Sequence, residues 1–204
     1  MADAVITLDQ LTGWVRRFND LVIKNQAELT ELDSAIGDAD HGINMARGMS
    51  AVINKLAGDP PSQVNELCKT VAMTLVTSVG GASGPLYGTF FLRFAGAAGP
   101  ATELDAEALD MALRAGLTGI VERGKAAPGD KTMVDALSPA VDAMELVIKN
   151  GGDLVAAVAA AREAAAAGRD STVPLVARKG RASYLGERSA GHMDPGAASM
   201  SLLF

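Results

Sequence analysis

Residues 7–44 read TLDQLTGWVRRFNDLVIKNQAELTELDSAIGDADHGIN, and two different patterns meet in them. Over Leu8, Leu11, Val15, Phe18, Val22, Leu29 and Leu32 the apolar positions recur at spacings of three and four, interrupted at Asn25. Thr7 with Gln10 makes a capping-box start. The spacing predicts one long amphipathic helix. It ends at Asp33–Asn44, which sets Asp33, Asp38 and Asp40 beside His41 and two glycines. Carboxylates held that close repel one another unless a cation stabilises them as anions. A hard divalent ion with oxygen ligands fits, and magnesium commonly keeps positions open for water or phosphate. An EF-hand is excluded, because its sixth and twelfth positions counted from Asp38 are Ile43 and Met49. Zinc finds one nitrogen ligand nearby, His41. The competing reading is structural: polar residues at a helix end, one of them capping the next helix, with His41 as a hydrogen-bonded core histidine.

The helical pattern continues outward. Further helices are expected over about Ile43 to Leu56, from Pro60 (capped by Asp59) to Val79, over Leu86 to Ala98 and over Asp105 to Arg123. Thr132 and Asp135 repeat the capping pattern and open a helix to Asn150, stopped at Gly151, in which Pro139 should introduce a kink or a split. Asp153 caps an alanine-rich helix to Gly168. A short helix after Ser171 or Thr172 and a last start at Asp194-Pro195 complete the series. With no convincing run of alternating β-branched residues, no internal repeat and no low-complexity linker, the chain reads as one all-α domain, residues 1–204, of about eight helices.

Composition limits what such a domain does. The 204 residues are 49% hydrophobic but only 4% aromatic, so the core is expected to be aliphatic and small. A net charge of −6, with one short basic run at Arg178–Arg181, argues against nucleic acid as a partner. The single cysteine, Cys68, rules out an intrachain disulfide and suits a reducing compartment. The opening MADAVITLDQ has no leader pattern, and no stretch approaches a membrane span. A soluble cytoplasmic protein is expected, one that binds anions locally rather than with a basic surface.

Gly80–Gly84, GGASG, offers one local means: Ser83 and the amides after it stand at a helix start, where free N–H groups attract phosphate. The other reading of the same glycines is a tight turn between helices. Gly119–Lys125, GIVERGK, approaches a phosphate-binding loop. Ala126 stands where Ser or Thr is required and no strand precedes it, so the match is coincidental. Lys125, Asp130 and Lys131, and then Arg178, Lys179, Arg181, Tyr184, Arg188, His192 and Asp194, lie in glycine-punctuated segments. Such segments are either solvated loops or places where backbone approaches a ligand.

The four motifs GDADHGINMARG, GGASGPLYGTFF, GDKTMVDALSPA and ARKGRASYLGERSAGHMDPGA occur in the order and spacing of the ADP-binding L subunits of dihydroxyacetone kinase. The resemblance covers essentially the whole chain. It implies an antiparallel barrel of about eight helices with the nucleotide at one end. It also implies two magnesium ions on Asp33, Asp38 and Asp40, bridging the phosphates of ADP or ATP. The nucleotide pocket would include His41, Gly42, Ile43, Asn44, Ala82, Ser83, Gly124, Met133, Arg181, Asp194, Pro195 and Gly196. The three aspartates and Arg181 would carry the catalysis. In this family dihydroxyacetone sits on a separate K subunit, and in the phosphotransferase-system form a phosphohistidine on an M subunit recharges bound ADP. Alternatives are an ATP-exchanging module of another kinase, and a module whose ADP-loaded state is read by a transcription regulator. One departure stands out: the family usually has GDGDHG, and here Ala39 replaces the middle glycine. A positive φ at that position would cost alanine on the order of 1 kcal/mol.

Overall fold

A computed structural model describes residues 4–204. The expected absence of a leader rests partly on residues 1–3, which lie outside the described residues. The all-α class holds: nine α-helices and one 3₁₀ segment are present among the described residues, against about eight expected. One two-residue antiparallel pairing, β1 (Ile6–Thr7) with β2 (Glu103–Leu104), ties the start of the chain to the middle.

The long first helix is in fact two, α1 (Leu8–Lys24) and α2 (Gln26–Ile36). The capping box that opens α1 is formed: the Thr7 hydroxyl accepts from the Gln10 amide at 3.3 Å, and Gln10 Oε1 accepts from the Thr7 amide at 2.8 Å. At the break the Asn25 side chain donates to the Leu21 carbonyl at 2.7 Å. A short amide side chain that competes with the backbone for its own carbonyls is a recognised way to end a helix. Next come α3 (His41–Gly58), α4 (Val64–Ser78), α5 (Ser83–Ala98) and α6 (Ala106–Gly124). The expected start at Pro60 is displaced to Val64. Asp59 and Pro60 each precede a proline, which pushes both out of the helical region. Asp59 instead ends α3, with non-helical backbone angles of φ −145° and ψ 80°.

Helix α7 (Met133–Lys149) runs through Pro139 without a split, with its Thr132–Asp135 capping box formed. Asp153 caps α8 (Leu154–Ser171), and Asp194 caps α9 (Pro195–Ser201), which has proline at its start. The helix expected after Thr172 is absent. That segment is an irregular chain leading to a 3₁₀ stretch at Arg181–Ser189, kinked at Gly186.

The core is mainly aliphatic, as expected, but its centre is aromatic. Tyr87, Phe90, Phe91 and Phe94 on α5 are fully buried against Phe18 and Trp14 of α1, with Trp14 ring-to-ring distances of 5.9 and 6.0 Å to Phe91 and Phe94. A low aromatic content concentrated on two helices supplies the large contact area that alanine cannot. No described helix is long and apolar enough to cross a membrane.

Candidate nucleotide and metal site

The acidic loop joins α2 to α3, and Asp33 organises it. One oxygen of its carboxylate accepts from the backbone amides of Asp40 (2.9 Å) and His41 (3.1 Å), two free donors at the start of the next helix. Asp40 occupies the capping position of α3 but makes no side-chain cap, so its carboxylate is not used in holding the helix. Gly37 is required here by space. A β-carbon on it would lie 1.9 Å from the second Asp33 oxygen. Ala39 stands at φ +61°, the left-handed conformation in which glycine is at ease.

The result is that one oxygen from each of Asp33, Asp38 and Asp40 lies within 4.8 Å of the others. Asp33 is buried at 7% exposure, while Asp38 faces outward and pairs with Arg181 at 2.8 Å. Three hard oxygen donors converging on one point, without a thiolate or a second imidazole, suit magnesium rather than zinc.

Beside this trio lies a cavity of about 380 Å³, within the range of small-ligand sites. His41 opens α3, Ser83 opens α5, Met133 opens α7 and Pro195 opens α9, and all four line it. Four helix N-termini therefore meet at one pocket, each carrying roughly half a positive charge. This convergence was not readable locally, since it depends on how four helices far apart in the chain pack together. The tight-turn reading of GGASG holds: Gly81 takes φ +66°, Gly84 packs where a β-carbon would lie 2.3 Å from the Val79 carbonyl, and Ser83 after the turn lines the pocket.

His41 is buried and bonded on both ring nitrogens, Nδ1 with the Ser83 hydroxyl at 3.1 Å and Nε2 with the Ser199 hydroxyl at 2.8 Å. Ser199 also meets the Tyr87 hydroxyl at 2.8 Å. Burial lowers the His41 pKa, and the nearby aspartates only partly oppose this, so the ring is neutral near pH 7. Burial likewise raises the Asp194 carboxyl, to about 7, although the Ala197 amide donates to it at 2.7 Å.

Of the residues named from the sequence, Asp33, Asp38, Asp40, His41, Asn44, Ala82 and Ser83 are brought to this cavity, as are Gly124, Met133, Arg181, Asp194, Pro195 and Gly196. Gly42 and Ile43 are not. Gly42 lies against α2, where a β-carbon would be 2.2 Å from the Gln26 carbonyl, and Ile43 is half exposed. Sequence reading missed Ser199 and Tyr87, which are 158 and 46 residues from His41 in the chain. It also missed Arg123 and the apolar wall of Ile36, Leu86, Ile120 and Ala126.

Residues 35–204 match the family model of the DAK2 domain. The chain is 48% identical over 196 residues to a Listeria innocua protein named as the ADP-binding subunit of a PEP-dependent dihydroxyacetone kinase, covering 96% of this chain and 93% of that one. It is 45% identical to the corresponding Escherichia coli subunit, covering 95% and 92%. Among solved structures, dihydroxyacetone kinase from C. freundii in complex with AMP-PNP and Mg²⁺ superposes with a TM-score of 0.71 at 28% identity. The overlap covers 94% of this chain but about a third, 32%, of the C. freundii chain.

Proposed function

The chain belongs to the DAK2-domain family, and from that premise we propose that residues 1–204 form one nucleotide-binding unit, the ADP-binding subunit of a dihydroxyacetone kinase. The single observation that carries this reading is the meeting of the aspartate trio with four helix N-termini at one cavity. Asp33, Asp38 and Asp40 would hold two magnesium ions, whose positive charge would offset that of the nucleotide phosphates. The chain's own groups account for the rest. Amides at the starts of α5 and α7 donate to the diphosphate, with no lysine cluster needed. Ser83 presents its hydroxyl to the same place, its orientation fixed by neutral His41 and, behind it, Ser199 and Tyr87. The apolar wall of Ile36, Leu86, Ile120 and Ala126 accommodates the base. Arg181, at the mouth, is placed to neutralise charge on a phosphoryl group in transfer.

Phosphoryl transfer asks a protein mainly for positioning and charge stabilisation, and no covalent nucleophile is needed on this chain. The sugar belongs to a separate dihydroxyacetone-binding K subunit, docked so that the mouth faces it. The greater identity to PEP-dependent subunits than to the C. freundii kinase favours ADP as a resident cofactor, recharged to ATP by a phosphohistidine-bearing phosphocarrier of the phosphotransferase system. On this reading the protein works in the cytoplasm. The test is to denature the purified protein and identify the released nucleotide by mass spectrometry. Stoichiometric ADP, converted to ATP by a phosphorylated carrier before denaturation, is the expected result. Protein that neither carries ADP nor binds it with magnesium contradicts the proposal.

A further inference from the structure

Lys131 is the most deeply buried cation of the described chain, 1% exposed, and it forms no ion pair among the described residues. Its ammonium donates instead to backbone carbonyls: Ser189 at 2.7 Å, Thr172 at 2.9 Å, Leu175 at 3.0 Å, and also His192, with Val173 further away at 3.4 Å. Every one of these oxygens comes from a single stretch, residues 172–192, and they fall at its two ends. Five carbonyl dipoles aimed at one buried point make the kind of cage that holds a monovalent cation. Here the chain fills it with its own side chain. Lys131 itself stands at φ +63°, a strained backbone for lysine that the surrounding contacts must sustain.

The stretch so gathered is a strap whose residues 179–182 line the pocket. Its base is closed by the Gly191 amide donating to the Val173 carbonyl (2.8 Å) and the Ala177 amide donating to Ser189 Oγ (2.8 Å). Ala177 and Ala182 pack on Ile36, between Asp33 and Asp38 in the chain, and Arg181 meets Asp38. Beyond the strap the Asp194 amide donates to Thr172 Oγ1 at 3.0 Å, which fixes the start of α9. Without the ammonium, the carbonyls of Leu175, Ser189 and His192 lose their buried donor, and the two ends of the strap are left to the Gly191–Val173 and Ala177–Ser189 bonds.

We propose that Lys131 is a positioning residue for nucleotide binding: its ammonium is a built-in cation that gathers residues 172–192 into a strap and so sets Arg181 and the α9 start at the pocket mouth. This inference rests on the nucleotide-binding reading above, but the cage can be tested apart from it. Lys131→Gly suits the positive φ and leaves the cage vacant. Lys131→Met keeps the stem and removes the charge. By hydrogen exchange on the full chain without nucleotide, amides of the strap should exchange about tenfold to a hundredfold faster in both variants, with helices α3 to α6 unchanged. Mg-ADP affinity should fall by a similar factor. Potassium or methylammonium chloride should restore protection and affinity in Lys131→Gly, and choline chloride at equal ionic strength should not. Lys131→Met, its cage filled by the stem, should not be rescued.

Unchanged strap exchange and affinity in both variants overturn the proposal, as does failure of both cations to restore Lys131→Gly. Loss of cooperative folding in both variants would make Lys131 a residue of global stability and overturn the local role. A wild-type chain that never binds Mg-ADP refutes the proposed function instead, while wild-type strap protection still reports on the cage.

Discussion

Ala39 shows how much one side chain discloses about the acidic loop. The sequence pattern raises the question of a positive φ there, and the value of +61° answers it. A left-handed alanine costs about 1–2 kcal/mol, and glycine returns part of the gain by loosening the unfolded chain. Ala39→Gly should therefore stabilise the protein by about 0.5–1 kcal/mol in urea unfolding, and a destabilised variant would show that the loop geometry is otherwise. Asp194 gives a second handle. Its carboxyl is raised to about 7 by burial, so between the ordinary carboxylate range and pH 7 the folded state binds more protons than the unfolded one. Its contribution to stability is complete at low pH and is lost as pH rises towards 7. Asp194→Asn, which still caps α9, should remove this part of the decline in melting temperature of the nucleotide-free protein between about pH 4 and 7. Parallel curves for the two proteins would contradict the shift. The loop residues were legible because their partners are neighbours. Ser199 and the carbonyls around Lys131 were not, because the contacts that give them meaning are made by distant parts of the chain.

Helix starts were the most legible elements, for a related reason. The caps at Thr7, Thr132, Asp153 and Asp194 each act within three residues, and each is formed. Interruptions fared worse: the break at Asn25 and the late start at Val64 are decided by local hydrogen bonding and by two prolines that periodicity overlooks. Pro139 does not split its helix. It deprives the Asp135 carbonyl of its helical donor, yet α7 continues because α8 packs there closely through Ala157, Ala161, Ala165 and Gly168. A β-carbon on Gly168 would stand 2.2 Å from that carbonyl and 2.8 Å from Pro139 Cγ. Gly168→Ala should cost about 1–3 kcal/mol, measured by thermal or urea unfolding, because the atom it meets is backbone and cannot swing aside. A neutral effect would mean that the α7–α8 contact is looser than described.

For the molecule as a whole, the central difficulty is that a chain of net charge −6 must hold a polyanion. It does not need a basic surface. The packing of α3, α5, α7 and α9 points four N-termini into one cavity and sets the three aspartates beside it, one oxygen of each within 4.8 Å of the others. The all-α class and the aspartate trio were legible from the sequence, whereas the convergence of four helix starts is a property of tertiary packing and has no local signature. If the trio is the cation site, nucleotide binding must depend on it while the fold does not, since Asp38 makes no bond that holds a helix. The most direct measurement is calorimetric titration of Mg-ADP into nucleotide-free wild type and Asp38→Ala, with circular dichroism of both. Wild type should bind in a magnesium-dependent manner, the variant should show no detectable binding, and the two should have equal helical content. Undiminished binding by Asp38→Ala would contradict the trio as the cation site.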